Sequence, residues 1–203
     1  MNPFNFTPIY LASQSPRRAQ LLTLIGVPFE VFLPDDAAAA EALETELPNE
    51  LPYDYVQRVV MLKAQRAAQS IARQSLPSRP ILCADTTVAV DQNILAKPLD
   101  AADAARMLRQ LSGRSHQVHT AVAILHNQQY QQICVTSDVT FKTLSEHEIN
   151  AYIDSGEPFG KAGAYAIQGL GAAFVAHLSG SHSAVMGLPV HEVANALHIF
   201  QGN

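Results

Sequence analysis

The sequence predicts an α/β protein with a mixed β-sheet flanked by helices, and three observations carry that expectation. Short apolar runs alternate with segments of helical periodicity along the first half of the chain. Two long β-favouring runs, His116–Leu125 and Tyr130–Phe141, stand next to each other in the second half, and no internal repeat occurs. The alternation places strands and helices in one layered unit, while the paired runs around a short turn add an antiparallel ribbon. At 203 residues the chain is expected to form one domain, residues 1–203, able to bury a sizeable core.

Each element follows from its residues. Ile9–Ala12 is a short apolar strand. Ser15 is placed as N-cap and Pro16 as the first residue of a helix through Ile25, which Gly26 stops. Phe29–Leu33 is the next strand. Pro34 to Leu51, containing DDAAAAEALETELPNE, is acidic, Ala-rich and bounded by prolines, and reads as a surface loop or short helix. From Pro52 an amphipathic helix follows, with Tyr55, Val59, Leu62, Arg66 and Ala67 near helical spacing. Ile81–Ala84 is a buried-type strand that ends in Asp85, and TTVAV continues extended towards Asp91. Ala101–Leu111 is a helix closed by Gly113, and the two long runs form a hairpin around His126–Gln129. SEHE at Ser145–Glu148 is a capping box opening a helix that Gly156 ends. KAGAYAIQGLGAAF is Gly-rich and irregular, and Leu188–Phe200 is a last helix.

Charge and composition exclude several functions. The net charge is -5 and no Lys/Arg run exceeds a pair, so the overall field repels a nucleic-acid backbone. No polymeric nucleic-acid partner is expected. Neither Cys83 nor Cys134 has metal-site or C-x-x-C spacing, which suits core thiols in a reducing compartment. The start MNPFNFTPIY lacks a basic region followed by an apolar core, and no apolar run reaches eighteen residues. A soluble, cytoplasmic protein without membrane contact is the expectation. HEVANALH lacks the spacing of a zinc protease, and HQVH offers only two candidates. These histidines read as structural.

Two stretches carry chemistry. LASQSPRRAQLLTLIG puts Arg17 and Arg18 in the first turn of a helix, whose N-terminus already presents free N–H groups and a positive dipole end. Cations there oppose the dipole, and an anionic ligand resolves the conflict because guanidinium forks match phosphate oxygens in pairs. A solvated basic turn is the alternative. In ILCADTTVAV a carboxylate, Asp85, sits among apolar runs where ligands of open α/β sheets bind, and burial would require a partner for it. Lys97, before Pro98, lies in an extended segment, and Lys63 is on the long helix. Each lysine alone reads more readily as a surface charge.

Taken in order, these segments resemble the Maf family of nucleoside triphosphate pyrophosphatases. The resemblance spans LASQSPRRAQLL, the helix carrying Lys63-Ala64, ADTTVAVDQNILAKPLD, MLRQLSGRSHQVHTAVAIL and KAGAYAIQGLGAAFVAHLSGSHSAVMGLPVHE. It implies an elongated fold akin to that of inosine triphosphatases, two lobes around a cleft, and frequent homodimers. It also implies hydrolysis between the α- and β-phosphates with a divalent cation, Mg²⁺ or Mn²⁺. On the resemblance, Ser15, Arg17, Arg18, Lys63 and Lys97 contact the triphosphate, and Asp85 is proton acceptor and metal ligand. Arg17, Thr86 and Gln168 match the positions associated with base selection in the branch acting on dTTP and UTP. A 7-methyl-GTP pyrophosphatase of the same family and a non-catalytic nucleotide-binding regulator of cell division are the alternatives.

The match departs from the family in two places. Gly160 stands where an acidic residue usually precedes Lys161-Ala162-Gly163. The family's acidic pair has no in-register counterpart: counting back from Lys63 gives Glu44, whereas counting forward from Gly26 reaches Ala37 and Ala38. Glu44 is therefore the named metal ligand, with Asp35, Asp36 and Glu41 as rivals.

Overall fold

The computed structural model describes residues 5–34, 43–127 and 129–201. Asp35, Asp36 and Glu41 lie outside them. One seven-stranded mixed sheet organises the chain, in the order β2-β1-β3-β5-β6-β7 with β4 attached to β3. The first strands are β1 (Ile9–Leu11), β2 (Phe29–Val31), β3 (Ile81–Val90) and β4 (Asn93–Leu95). The antiparallel half is β5 (Ser115–His126), β6 (Gln129–Phe141) and β7 (Val175–Ser179). Among the described residues only the β1 pairings, with β2 and β3, are parallel. The mixed sheet and its hairpin are thus those the sequence predicts.

Helices cover both faces. Helix α1 (Pro16–Leu24) and α6 (Val190–Gln201) bury Leu21, Leu22, Val193 and Leu197 against Leu82, Ala84, Val122 and Ile124. On the opposite face α2 (Pro52–Arg73) packs Val56, Val59, Val60, Ala64 and Ala67 on Ile81, Cys83, Ala121 and Ala123. Each fully buried Val contributes about 1.5–3 kcal/mol, so this stripe fixes the rotation of α2 and with it the direction of Lys63. A third cluster joins α3 (Ala101–Leu111) and α4 (Glu146–Asp154) to Val88, Phe141, Tyr165 and Phe174 at the far end of the sheet. The capping box at Ser145 and Glu148 forms as the sequence predicts. No helix among the described residues is long and apolar enough to cross a membrane.

The structure departs from the sequence reading in three places. Strand β3 does not end at Asp85: it runs to Val90, paired with β5 from Ile81–Leu125 through Ala89–Gln117. The strand that ends at this level is β1, whose Leu11 lies opposite Leu82. Strand β4 follows β3 through Asp91 and Gln92, both at positive φ, a two-residue hairpin without the usual Asn-Gly signal. The last helix starts at Val190, after Pro189, and a separate short helix α5 (His182–Met186) precedes it, capped by Ser181 and closed by Gly187 at φ 118°. His116 and His119 are three residues apart on a strand and so point to opposite faces. His116 bonds the Tyr165 hydroxyl and His119 the Thr136 hydroxyl, each at 2.9 Å, in keeping with structural roles. Burial pushes the His116 imidazole down to about 4.

Both cysteines are free, and Cys83 is buried. Burial pushes its thiol up to about 12 and that of Cys134 to about 11. Thiols so protonated are poor nucleophiles.

Candidate active site

A break in the sheet edge sets the site. On one side of β3, β1 pairs with Ile81 and Leu82, and β4 resumes the pairing at Val88. Cys83 to Thr87 face the gap between them. Period-two alternation sends Asp85 towards α2, with Ile81 and Cys83, and Thr86 towards α1, with Leu82 and Ala84. Four residues, 12–15, separate the end of β1 from the start of helix α1, so its N-terminus meets the same gap.

On the α2 side, the Lys63 ammonium donates to Asp85 Oδ1 and to Glu44 Oε1, each at 2.6 Å. Lys97 Nζ lies 3.6 Å from the other Glu44 oxygen. Helix α2 also holds the segment that presents Glu44: the Tyr55 hydroxyl donates to the Glu44 carbonyl, and Arg58 donates to the carbonyls of Leu43 and Thr45. Burial alone would raise the Glu44 carboxyl, but Lys63 and then Lys97 outweigh it and hold it below the usual carboxylate range. Burial likewise disfavours the charged Lys63, and Asp85 and Glu44 more than restore it, raising its pKa. Both groups are therefore charged at neutral pH.

On the α1 side, Arg18 is built into the protein. Its Nε donates to the Gly187 carbonyl at 2.9 Å, one terminal nitrogen to Ser13 Oγ at 3.0 Å, and the other reaches Thr86 Oγ1 at 3.5 Å. The Thr120 hydroxyl donates to the Ala184 carbonyl at 2.7 Å, which commits its one proton. Thr86 must then donate in the 3.0 Å Thr86–Thr120 contact, leaving only lone pairs towards Arg18 and the gap. Burial lowers the Arg18 guanidinium, opposed first by Asp85.

Arg17, half-buried, has no acceptor among the described residues, and burial lowers its guanidinium. Ser15 occupies the N-cap position as expected, yet its hydroxyl makes no capping bond. Gln168 is exposed, and its amide has no partner among the described residues.

The structure thus gathers Arg18, Glu44, Lys63, Asp85, Thr86 and Lys97 at one gap. Gln168 lies on a separate Gly-rich loop. Sequence reasoning passed over Ser13, the Gly187 carbonyl and Lys161. Lys161 is half-buried; burial lowers its ammonium and Arg17 adds to that effect. Its signal was available in the KAGAYAIQ segment. Gly160, at φ 71°, puts a left-handed turn where the family's acidic side chain is expected.

The two arginines separate in consequence. Arg17→Ala is expected to lower kcat/KM about tenfold or more with an unchanged thermal midpoint. Arg18→Ala is expected to lose activity and also about 1–2 kcal/mol of stability, because Gly187 and Ser13 lose their donor. Calorimetry beside steady-state kinetics checks both. An Arg17→Ala enzyme with wild-type kinetics removes that residue from the ligand site.

The fold and the site define an α/β protein with a cationic cleft built around two carboxylates. The chain belongs to the Maf-like protein family, whose model matches residues 8–200. A dTTP/UTP pyrophosphatase of Albidiferax ferrireducens is 55% identical over 192 residues, covering 95% of this chain and 96% of the relative. A dTTP/UTP pyrophosphatase of Ralstonia nicotianae is 57% identical over 190 residues, covering 93% and 92%. The solved structure of the Staphylococcus aureus Ham1 protein overlaps 66% of this chain and 72% of its own, at 14% identity and a TM-score of 0.45.

Proposed function

We propose that this protein hydrolyses dTTP and UTP to the monophosphate and pyrophosphate. The observation that carries the chemistry is the Lys63 ammonium held 2.6 Å from both Glu44 and Asp85, beside the arginines of α1. Names borne by relatives more than half identical supply the substrates.

In this reading the triphosphate lies along the gap, with Arg17, Arg18, Lys63 and Lys97 against its oxygens and the free Ser15 hydroxyl at the helix N-terminus. Asp85 accepts a proton from the attacking water as the new P–O bond forms and the bond to the bridging oxygen breaks, releasing pyrophosphate. Cations already in position stabilise the charge that accumulates on the phosphoryl oxygens.

Glu44 and Asp85 fit a divalent cation, since both already share one positive group, Lys63 Nζ. Among the described residues no three His, Cys, Asp or Glu side chains are gathered as a metal site. One or two carboxylates completed by phosphate oxygens and water is the habit of Mg²⁺. When bound, such an ion neutralises phosphate charge and polarises the P–O bonds.

Gln168 reads the base. Its amide offers a donor and an acceptor, matching the O4/N3–H edge of thymine or uracil. Pyrophosphate release from dTTP, UTP, dCTP, dATP, dGTP and 7-methyl-GTP tests the assignment. The expected kcat/KM for dTTP and UTP exceeds the others by about tenfold or more. Gln168→Glu, which loses the donor, erodes that preference. Equal rates across the panel, or an optimum at 7-methyl-GTP, overturn the substrate; nucleotide binding without pyrophosphate release favours the regulator.

A further inference from the structure

Among the described residues nothing beside Gln168 fixes its amide, so the backbone of its loop decides where it points. That loop is held at both ends by two side chains from the α4 region. The Tyr152 hydroxyl accepts the Ala166 N–H at 3.2 Å and donates to Glu157 Oε1 at 2.8 Å. The Glu157 carboxylate then accepts the Gly171 N–H on Oε1 and the Leu170 N–H on Oε2, both at 3.0 Å. Backbone on either side of Gln168 is thus tied to one carboxylate, directly or through one phenol.

The glycines of the loop fit this arrangement sterically. Gly169 has φ -116°, a value any residue adopts, yet a Cβ there would overlap the Glu157 carboxylate. A Cβ on Gly171 would stand 2.8 Å from the Tyr152 hydroxyl. Glu157 and Tyr152 hold the loop, and the glycines make room for them. Burial would raise the Glu157 carboxyl, but the Gly171 and Leu170 amides and Tyr152 outweigh it, so it stays an acceptor of all three donors.

We propose that Glu157 is the positioning residue for nucleobase selection, setting through Tyr152, Leu170 and Gly171 the loop geometry that presents Gln168. This rests on the assignment of Gln168 to the base. A carboxylate accepts from three donors at once. The amide of glutamine has a single acceptor oxygen and would turn its NH₂ against a backbone N–H. Glu157→Gln therefore loosens the loop without changing its size.

The experiment combines Glu157→Gln, Gly169→Ala, Glu157→Ala and the Glu157→Ala/Gly169→Ala double variant. For each, kcat/KM on dTTP and dCTP is measured, together with amide hydrogen exchange at Leu170 and Gly171. Glu157→Gln and Gly169→Ala are each expected to cut the dTTP:dCTP ratio by about tenfold or more, the loss of a charge-assisted hydrogen bond. The loss falls on KM more than on kcat, and both amides exchange faster. In the double variant the added methyl meets no carboxylate, so it is expected to be no worse than Glu157→Ala alone. Should Glu157→Gln not fold, Gly169→Ala displaces the same carboxylate and gives the same reading. A preserved ratio with faster exchange, or additive effects in the double variant, overturns the proposal. Wild-type indifference to the base overturns the Gln168 assignment, and the specificity role of Glu157 falls with it, while slow exchange at Leu170 and Gly171 that Glu157→Gln abolishes still identifies the clamp.

Discussion

Asp85→Asn is expected to reduce pyrophosphate release by at least about 10²-fold, with the fold and nucleotide binding retained. The variant keeps the shape of the side chain and an oxygen that can still accept from Lys63, now 2.6 Å away. Strand pairing at this position runs through the backbone, with Ala121 as the β5 partner, so the ladder does not depend on the carboxylate. What disappears is the negative charge and the capacity to take a proton from water. In the absence of a divalent cation, removing an anion beside a triphosphate cannot weaken its binding electrostatically. The expected pattern is thus a collapse of kcat, read by single-turnover kinetics, with a dissociation constant equal to or below that of the wild type in calorimetric titration without divalent cation. Activity within about threefold of wild type removes Asp85 from the chemistry.

Much of this arrangement is written in local sequence signals. Pro16 at the first helical position and the 145–148 capping box announce helix starts, and the paired β-favouring runs announce the β5–β6 hairpin. The pieces that escaped are short or irregular. Strand β4 has three residues and α5 has five, too few for a period to show. Asp85 was placed at a strand end because its threonine neighbours interrupt the apolar run; in the sheet those threonines alternate faces, and β3 continues through them. The gap opposite Asp85 is a property of pairing, created by where β1 stops and β4 starts, and no single segment encodes it.

The site was legible to a different depth on each side. Asp85 and the arginines stand out locally, as a carboxylate among apolar residues and as cations at a helix N-terminus. Lys63 and Glu44 are nineteen residues apart, and their pairing depends on Tyr55 and Arg58 drawing the loop onto α2. The Glu157 clamp joins residues thirteen and fourteen apart through backbone amides, which leave no trace in side-chain identity.

Lys63→Met is expected to lower kcat/KM by about 10²-fold or more, and its second effect has a definite sign in pH. Methionine keeps the length of the chain on α2 but removes the ammonium that Glu44 and Asp85 share. The triphosphate loses one of its cations and meets an Asp85 carboxylate without its ammonium and a Glu44 carboxylate left with Lys97 at 3.6 Å, so KM is expected to rise as kcat falls. Glu44 loses the largest influence holding its carboxyl down. Burial, which raises it, is then opposed mainly by Lys97 at 3.6 Å. The depressed carboxyl of the wild type contributes stability that is present above the ordinary carboxylate range and is lost as pH falls through the depressed value. In Lys63→Met that contribution vanishes: stability at neutral pH is expected to drop, and its acid dependence to flatten. Urea unfolding at neutral and mildly acid pH, paired with carboxyl titration of Glu44 by NMR, separates the two effects. A Glu44 carboxyl that stays below the ordinary range, or kinetics within about threefold of wild type, would show that the 2.6 Å contacts of Lys63 carry neither the ligand nor the loop.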